Sequence, residues 1–175
     1  MLTILQLIVD TAASVVGGVL LLRFWMQVIR VRPPASVAQF TFTLTDWLVR
    51  PLRRVLPGVG GYDWASLIGA FLVVLLASCV LLLAGASGQT VLLVALFRFL
   101  NWIIYGFMGL LIIEVIFSWI NPHAPLAPFV HALNDPLLRP LRRLIPPVGG
   151  LDLSVLVALI LLQIVKYLLG QAFFF

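Results

Sequence analysis

Charge is what this chain has least of. Of its 175 residues only 10% are charged, 11 of them Lys or Arg and 6 Asp or Glu. An ordinary soluble domain carries about 25% charged residues and about 45–50% apolar ones. With 63% hydrophobic residues and a mean hydropathy of +1.18, the chain has too little charge to coat a water-facing surface. That excludes a soluble globular domain, and it excludes a disordered chain, which needs low hydrophobicity. Cysteine is almost absent. Cys79 alone lies inside an apolar run, so an intramolecular disulfide and a CxxC metal or redox motif are both excluded. A basic n-region is missing as well: residues 1–22 hold no Lys or Arg and one acid, Asp10, while Arg23, Arg30 and Arg32 follow the apolar stretch. A cleavable leader has the reverse order, so the first stretch reads as a retained helix with its N-terminus outside.

What is present is apolar length. Four stretches, about 2–29, 64–84, 91–120 and 153–173, each reach the roughly 20 residues a helix needs to cross a bilayer. Residues 85–90 join the middle two as an uncharged Gly-Ser turn. The other two connections, about 31–63 and 121–152, are longer, proline-rich and basic. They hold Arg32, Arg50, Arg53, Arg54, Arg139, Arg142 and Arg143, with Arg30 at the edge of the first. The net charge of +5 is therefore placed on loops beside spans. Such loops mark the cytoplasmic face and attract anionic head groups. No recognition fold has room to form, so nucleic acid is not an expected partner. The expected topology puts both basic loops in the cytoplasm and both termini outside.

The chain also repeats. Residues 50–63 read RPLRRVLPGVGGYD and residues 139–152 read RPLRRLIPPVGGLD, an offset of 89 positions that Asp46 and Asp135 share. Each half is then span, basic loop, span, with 1–86 as the first repeat and 91–175 as the second. Because each repeat crosses twice, the two have one orientation, the parallel-repeat arrangement. The fold class is an all-α membrane protein of four spans in two two-helix repeats. In the first loop Val37, Phe40, Leu44, Trp47 and Leu48 recur at helical spacing; in the second Phe129, Val130, Leu133 and Leu137 do so. Each loop is expected to carry an amphipathic helix lying in the interface.

Within the repeated motif the proline is expected to reset the chain direction. The six arginines Arg50, Arg53, Arg54, Arg139, Arg142 and Arg143 are the candidates for head-group phosphate or partner binding, since guanidinium forks onto phosphate. Gly60-Gly61 and Gly149-Gly150 allow a turn at positive φ. Asp63 and Asp152 stand where they cap the next helix N-terminus.

The ordered set Ser118-Trp119, Pro122, Pro136-Leu137, Pro140, Arg142-Arg143, Ile145-Pro146-Pro147, Gly149-Gly150 and Asp152-Leu153-Ser154 resembles the YggT family, also called YlmG-related, of small bacterial and plastid membrane proteins. The first half is a partial copy, with Gln27-Val28 in place of Ser-Trp and Gly58 in place of Pro147. The resemblance implies a bacterial inner-membrane protein linked to osmotic or extracytoplasmic stress, and in some lineages to division-site or envelope organisation. Its plastid branch implies haem attachment during cytochrome b6 assembly. It maps no enzymatic reaction onto these residues.

Ionisable residues at membrane depth are functional candidates. Arg23 and Glu114 lie near matching positions of the two halves, each about 10 Å inside at 1.5 Å per residue. They are candidates for an ion pair locking the halves together. Asp10, Arg98 and Lys166 fall in the outer halves of their spans as a candidate polar cluster. His123 and His131 share the second loop with no CxxCH or HExxH pattern, so neither a cofactor nor a metal is expected. No nucleophile–base pair is visible. The leading expectation is a non-enzymatic assembly or organising factor; a small ion or osmolyte channel and a haem-handling factor are the alternatives. Anionic lipid and a membrane-protein partner are the expected contacts, and the chain is compatible with a homo-oligomer.

Overall fold

The computed structural model describes residues 2–56, 58, 60–145 and 152–174. Among these the chain is helical throughout: α1 (Leu2–Val28), α2 (Ala35–Val55), α3 (Trp64–Ser78), which continues as a 3₁₀ turn over Cys79–Ala84, α4 (Gly88–Ile120), α5 (Ala127–Leu144) and α6 (Leu153–Phe174). Four stretches are long and apolar enough to cross a membrane: Ile4–Val28, Trp64–Ala84, Gly88–Ile120 and Leu153–Phe173. These are the four apolar runs of the sequence, with the third starting earlier, at Gly88.

The chain packs as two compact units, Met1–Val28 with Ala35–Ile103, and Ile29–Pro34 with Ile104–Phe175. The boundary between them falls inside α4, so the first part of that helix belongs with the first unit. Three contacts show why. Gly17 on α1 admits the Trp102 ring so closely that an added Cβ would lie 2.1 Å from it. Phe71 and Phe99 meet edge to face at 5.5 Å. Arg98 reaches Asp10 at 2.7 Å.

The first unit has a core of Leu20, Val49, Ala65 and Ala70, joined by Leu48 and Leu52. The second has Leu111, Leu138, Val155 and Ala158, joined by Leu137 and Leu141. Val49 and Leu138 are equivalent in the repeat, and Leu20 and Leu111 hold matching places beneath them. Each core draws on one amphipathic helix and two spans, but α1 and α3 pack closely in the first unit, whereas α4 stands farther from α5 and α6 in the second.

That packing divides the apolar stripe expected along α2. Leu48 turns inward, while Phe40 and Trp47 remain exposed, at 57% and 64%. The most buried face of α2 is Thr41, Thr45 and Val49. On α5 the expected stripe does pack inward, with Phe129, Val130 and Leu133 buried and Leu137 against the core.

The prolines of the motif correct a second expectation. Pro51 lies within α2, and Pro136 and Pro140 lie within α5; none turns the chain. A helical proline removes one backbone hydrogen bond and crowds the preceding turn. All three prolines are exposed, on the face away from the core. The turn comes later in the first unit, at Gly60 (φ 70°) and Gly61 (φ 80°), a conformation that glycine adopts without strain. Gly149-Gly150 lies outside the described residues.

Candidate functional site

Each unit carries a network of buried charge where its amphipathic helix crosses its spans. In the first unit Arg23 projects from α1 with its side chain only 7% exposed. Its Nη1 donates to Thr45 Oγ1 at 2.7 Å and to Asp46 Oδ1 at 2.7 Å, both on α2. Its Nε lies 3.5 Å from Asp63 Oδ2, just ahead of α3. The Phe42 ring covers the guanidinium at 4.8 Å, a cation–π contact. Arg53 closes the network from the last turn of α2, donating from Nε and Nη2 to the two oxygens of Asp63 at 3.2 and 2.5 Å. Arg50 grips the far oxygen of Asp46 one helical turn away. Three guanidiniums, Arg23, Arg53 and the exposed Arg50, thus face two carboxylates, Asp46 and Asp63. Planar forks satisfy several oxygens at once in this way.

The electrostatics follow from that geometry. The Arg23 hydrogen bond holds the Asp46 carboxyl below its usual value against the opposing effect of burial, and Arg50 adds to it. For Asp63 burial pushes upward most strongly, but hydrogen bonds from Arg53 and Ser66 and the charges of Arg53 and Arg23 together bring it below its usual value. Asp63 in turn raises Arg53. Asp63 stands at the N-cap position of α3, yet its carboxylate makes no bond to the helix backbone. Its side chain takes Arg53 and the Ser66 hydroxyl instead, while its backbone carbonyl accepts from Ser66 N at 3.0 Å.

In the second unit the residue matched to Arg23 is an acid. Glu114 projects from α4, 11% exposed. Its Oε1 accepts from Arg142 Nη2 at 2.8 Å and lies 2.9 Å from His131 Nδ1, both on α5. Its Oε2 is buried and has no hydrogen-bond partner among the described residues. Arg142, the equivalent of Arg53, bridges onward from Nε to Asp152 Oδ2 at 2.8 Å. Asp152 accepts from Ser154 N at 3.0 Å and from the Ser154 hydroxyl, a side-chain cap on the first turn of α6. Burial pushes Asp152 upward, but Ser154 and Arg142 outweigh it and hold the carboxyl low. Burial likewise opposes the charge on Arg142, and Asp152 and Glu114 overcome it. His131 occupies the place of Phe42. Asn134, the place of Thr45, is fully buried and donates to the Leu110 carbonyl at 2.9 Å.

The residues singled out in the sequence therefore fall as follows. Arg23 and Glu114, expected to pair between the halves, each find their charge partners within their own unit: Asp46 and Asp63 for Arg23, Arg142 and His131 for Glu114. Of the six motif arginines, Arg53 and Arg142 point into the fold and hold carboxylates. Arg50 and Arg139 lie exposed, each braced by the aspartate one turn earlier, Asp46 or Asp135. Arg54 and Arg143 are exposed at the helix ends. Asp10 and Arg98 form an ion pair in the first unit. Lys166 lies in the second, over the Tyr105 ring at 4.8 Å. His123 is exposed, its backbone N–H bonded to Asn121 Oδ1. The roles of Thr45, Asn134 and His131 were not anticipated. A signal existed: Thr41, Thr45, Val49 and Arg53 recur every four residues, as do Asn134, Leu138 and Arg142, one continuous helix face that leads from the core to the inward arginine.

Four membrane-crossing helices, repeated loop motifs and an internal ion network in each half define a multi-pass helical membrane protein built from two tandem repeats. The chain belongs to the CCB3/YggT family, whose model matches residues 1–84 and again 93–173. It is 36% identical to PA0392 of Pseudomonas aeruginosa, over 92% of this chain and 85% of that one. It is 35% identical to the protein of the proC 3′ region of Vibrio alginolyticus, over 95% and 94%. It is 32% identical to YggT of Escherichia coli K12, over 93% and 87%. No solved structure matches it.

Proposed function

We propose that this chain is a non-enzymatic organiser of the bacterial inner membrane, linked to osmotic or envelope stress, with its two amphipathic helices seated on anionic lipid at the cytoplasmic face. One observation carries the reading: the outer face of α2. Phe40 and Trp47 are exposed there, two turns apart, with Arg50 and Arg54 beside them. An aromatic ridge flanked by guanidiniums is the composition of a helix lying at head-group level. Because Arg53 and Arg142 point into the fold, the lipid-directed charge comes down to the more exposed Arg50, Arg54, Arg139 and Arg143. Juxtamembrane arginines are worth about 1 kcal/mol each near an anionic surface. They also orient the chain, with both basic loops inside and both termini outside. The same exposed charges suit a membrane-protein partner with an acidic face.

The test is lipid retention. Protein reconstituted with phosphatidylglycerol and phosphatidylcholine should carry excess phosphatidylglycerol through purification. Replacing Arg50, Arg54, Arg139 and Arg143 together by Gln should abolish that excess while leaving the thermal midpoint nearly unchanged. An undiminished excess in this variant would remove the reading.

A further inference from the structure

The two ion networks differ in their count. In the first unit Arg23 and Arg53 face Asp46 and Asp63, and Phe42 covers the buried cation. In the second, Glu114 and Asp152 share one guanidinium, Arg142, and among the described residues the only other charge partner of Glu114 is His131. With His131 neutral the second network carries one negative charge in excess. The buried Oε2 of Glu114, without a hydrogen-bond donor among the described residues, is where that excess is least compensated.

This imbalance borders a cavity. About 700 Å³ opens between α4, α5 and α6, with Glu114, His131, Arg142 and Asp152 on its polar side and an otherwise largely apolar lining. Two wall residues, Trp119 and Leu156, are 71% and 55% exposed. Both sit at the ends of spans, Trp119 closing α4 and Leu156 opening α6. The cavity therefore communicates with apolar surface at the level where spans end, which is where lipid head groups lie. Among the described residues no group of three His, Cys, Asp or Glu could hold a metal ion, and a guanidinium stands between the two acids. The matching ligand is instead a monocation to set against the excess negative charge of Glu114 and Asp152, with an apolar body to lie along the wall.

We propose that this cavity binds the primary ammonium of an aminophospholipid, with Glu114 as its counter-charge. The ammonium supplies the positive charge that Arg23 supplies in the first unit, and the acyl chains leave past Trp119 and Leu156. This site uses none of the exposed arginines, so it stands or falls separately from the anionic-lipid reading. A primary ammonium donates three hydrogen bonds; the trimethylammonium of phosphatidylcholine donates none, which gives the site its selectivity.

The experiment is lipid competition in the full chain. Protein is placed in nanodiscs of equal dioleoyl phosphatidylethanolamine and phosphatidylcholine with a constant share of phosphatidylglycerol, and lipid retained on extraction is quantified by mass spectrometry. About tenfold enrichment of phosphatidylethanolamine over phosphatidylcholine is expected, the worth of one charge-assisted hydrogen bond. Glu114→Gln should bring the ratio to one, and Asp10→Asn should leave it unchanged. His131→Lys is the second variant; it places a permanent cation on Glu114, keeps the fold, and should abolish the preference. Absence of enrichment in the unaltered chain overturns the proposal, as does enrichment that persists in His131→Lys. Displacement of the retained lipid by free ethanolamine would show that the ammonium alone suffices and would overturn the lipid assignment.

Discussion

In the first repeat the charge sunk beneath the amphipathic helix is a cation, Arg23; near the matching position of the second it is an anion, Glu114. Matched residues surround the two. Leu20 and Val49 in one core match Leu111 and Leu138 in the other, and Arg53 and Arg142 occupy equivalent places at the ends of α2 and α5. Both arginines reach back to the aspartate that precedes the following span, Asp63 or Asp152. The partners have changed together with the buried charge. Phe42, whose ring face attracts a cation, stands over Arg23; His131, which can carry a proton to a carboxylate, stands on Glu114. Asp46 turns inward to Arg23 as well as outward to Arg50, whereas the ion pair of Asp135 is with Arg139 alone among the described residues. One scaffold thus tolerates either sign at its centre provided the surrounding groups follow. The first network has permanent cations enough for both its carboxylates. The second is balanced only when His131 or a ligand supplies one.

The largest test of that difference is Arg23→Gln. It leaves Asp46 and Asp63 facing each other, with the Asp63 side chain only 2% exposed and Arg53 as its remaining strong partner. Removing one member of a buried ion network costs about 3–5 kcal/mol. A correspondingly large fall in the thermal midpoint in detergent is expected. A loss no greater than that of an exposed variant such as Arg54→Gln would mean that the first network does not hold its unit together.

Acid should be the next strongest perturbation. Asp46, Asp63 and Asp152 are all held below their ordinary values. A carboxyl whose folded value is depressed contributes stability above its unfolded value, about 3.9, and loses it as the pH falls through the folded one. The midpoint should therefore decline only below about pH 4. In Arg23→Gln the decline should be shallower, because Asp46 loses its strongest hydrogen bond and its folded value moves back toward the unfolded one. An acid limb equally steep in both proteins would break the link between Arg23 and Asp46.

Glu114→Gln should cost less, about 1–2 kcal/mol, the loss of a charge-assisted bond whose donor keeps another acceptor. Arg142 still holds Asp152, and the excess negative charge of the second network is removed. A loss as large as that of Arg23→Gln would show that the two networks are equally closed.

Much of this was legible in the sequence, and the part that was not has a physical cause. Apolar length fixes the spans, since a bilayer demands it, and the recurrence of RPLRR, VGG and Asp exposes the repeat. Position along a helix could also be read, by counting residues from its end to Arg23 and Glu114. Direction around the helix axis could not, and direction decides whether a charge meets the other half or its own loop. The arginines make the same point. Arg53 and Arg54 are neighbours of one type, but about 100° of helical rotation separates them, so one enters the ion network and the other faces outward. Pro51 and Pro140 read as breaks because propensity sees only the lost hydrogen bond, while packing against two spans keeps the helix intact.

The finest test concerns coupling between the halves. Were Arg23 and Glu114 partners, removing both would cost less than the sum of the single losses, since the second change would strip an interaction already gone. With Arg23 held by Asp46 and Asp63, and Glu114 by Arg142 and His131, the two sites share no partner. Independent sites add to within about 0.3–0.5 kcal/mol. The double variant Arg23→Gln/Glu114→Gln should therefore lose the sum of the single losses, measured as midpoint shifts in one detergent at one pH. A shortfall beyond that margin would join the two networks into one and make the opposite signs at their centres a bond between repeats, whereas additivity leaves each repeat with its own solution to the burial of a charge.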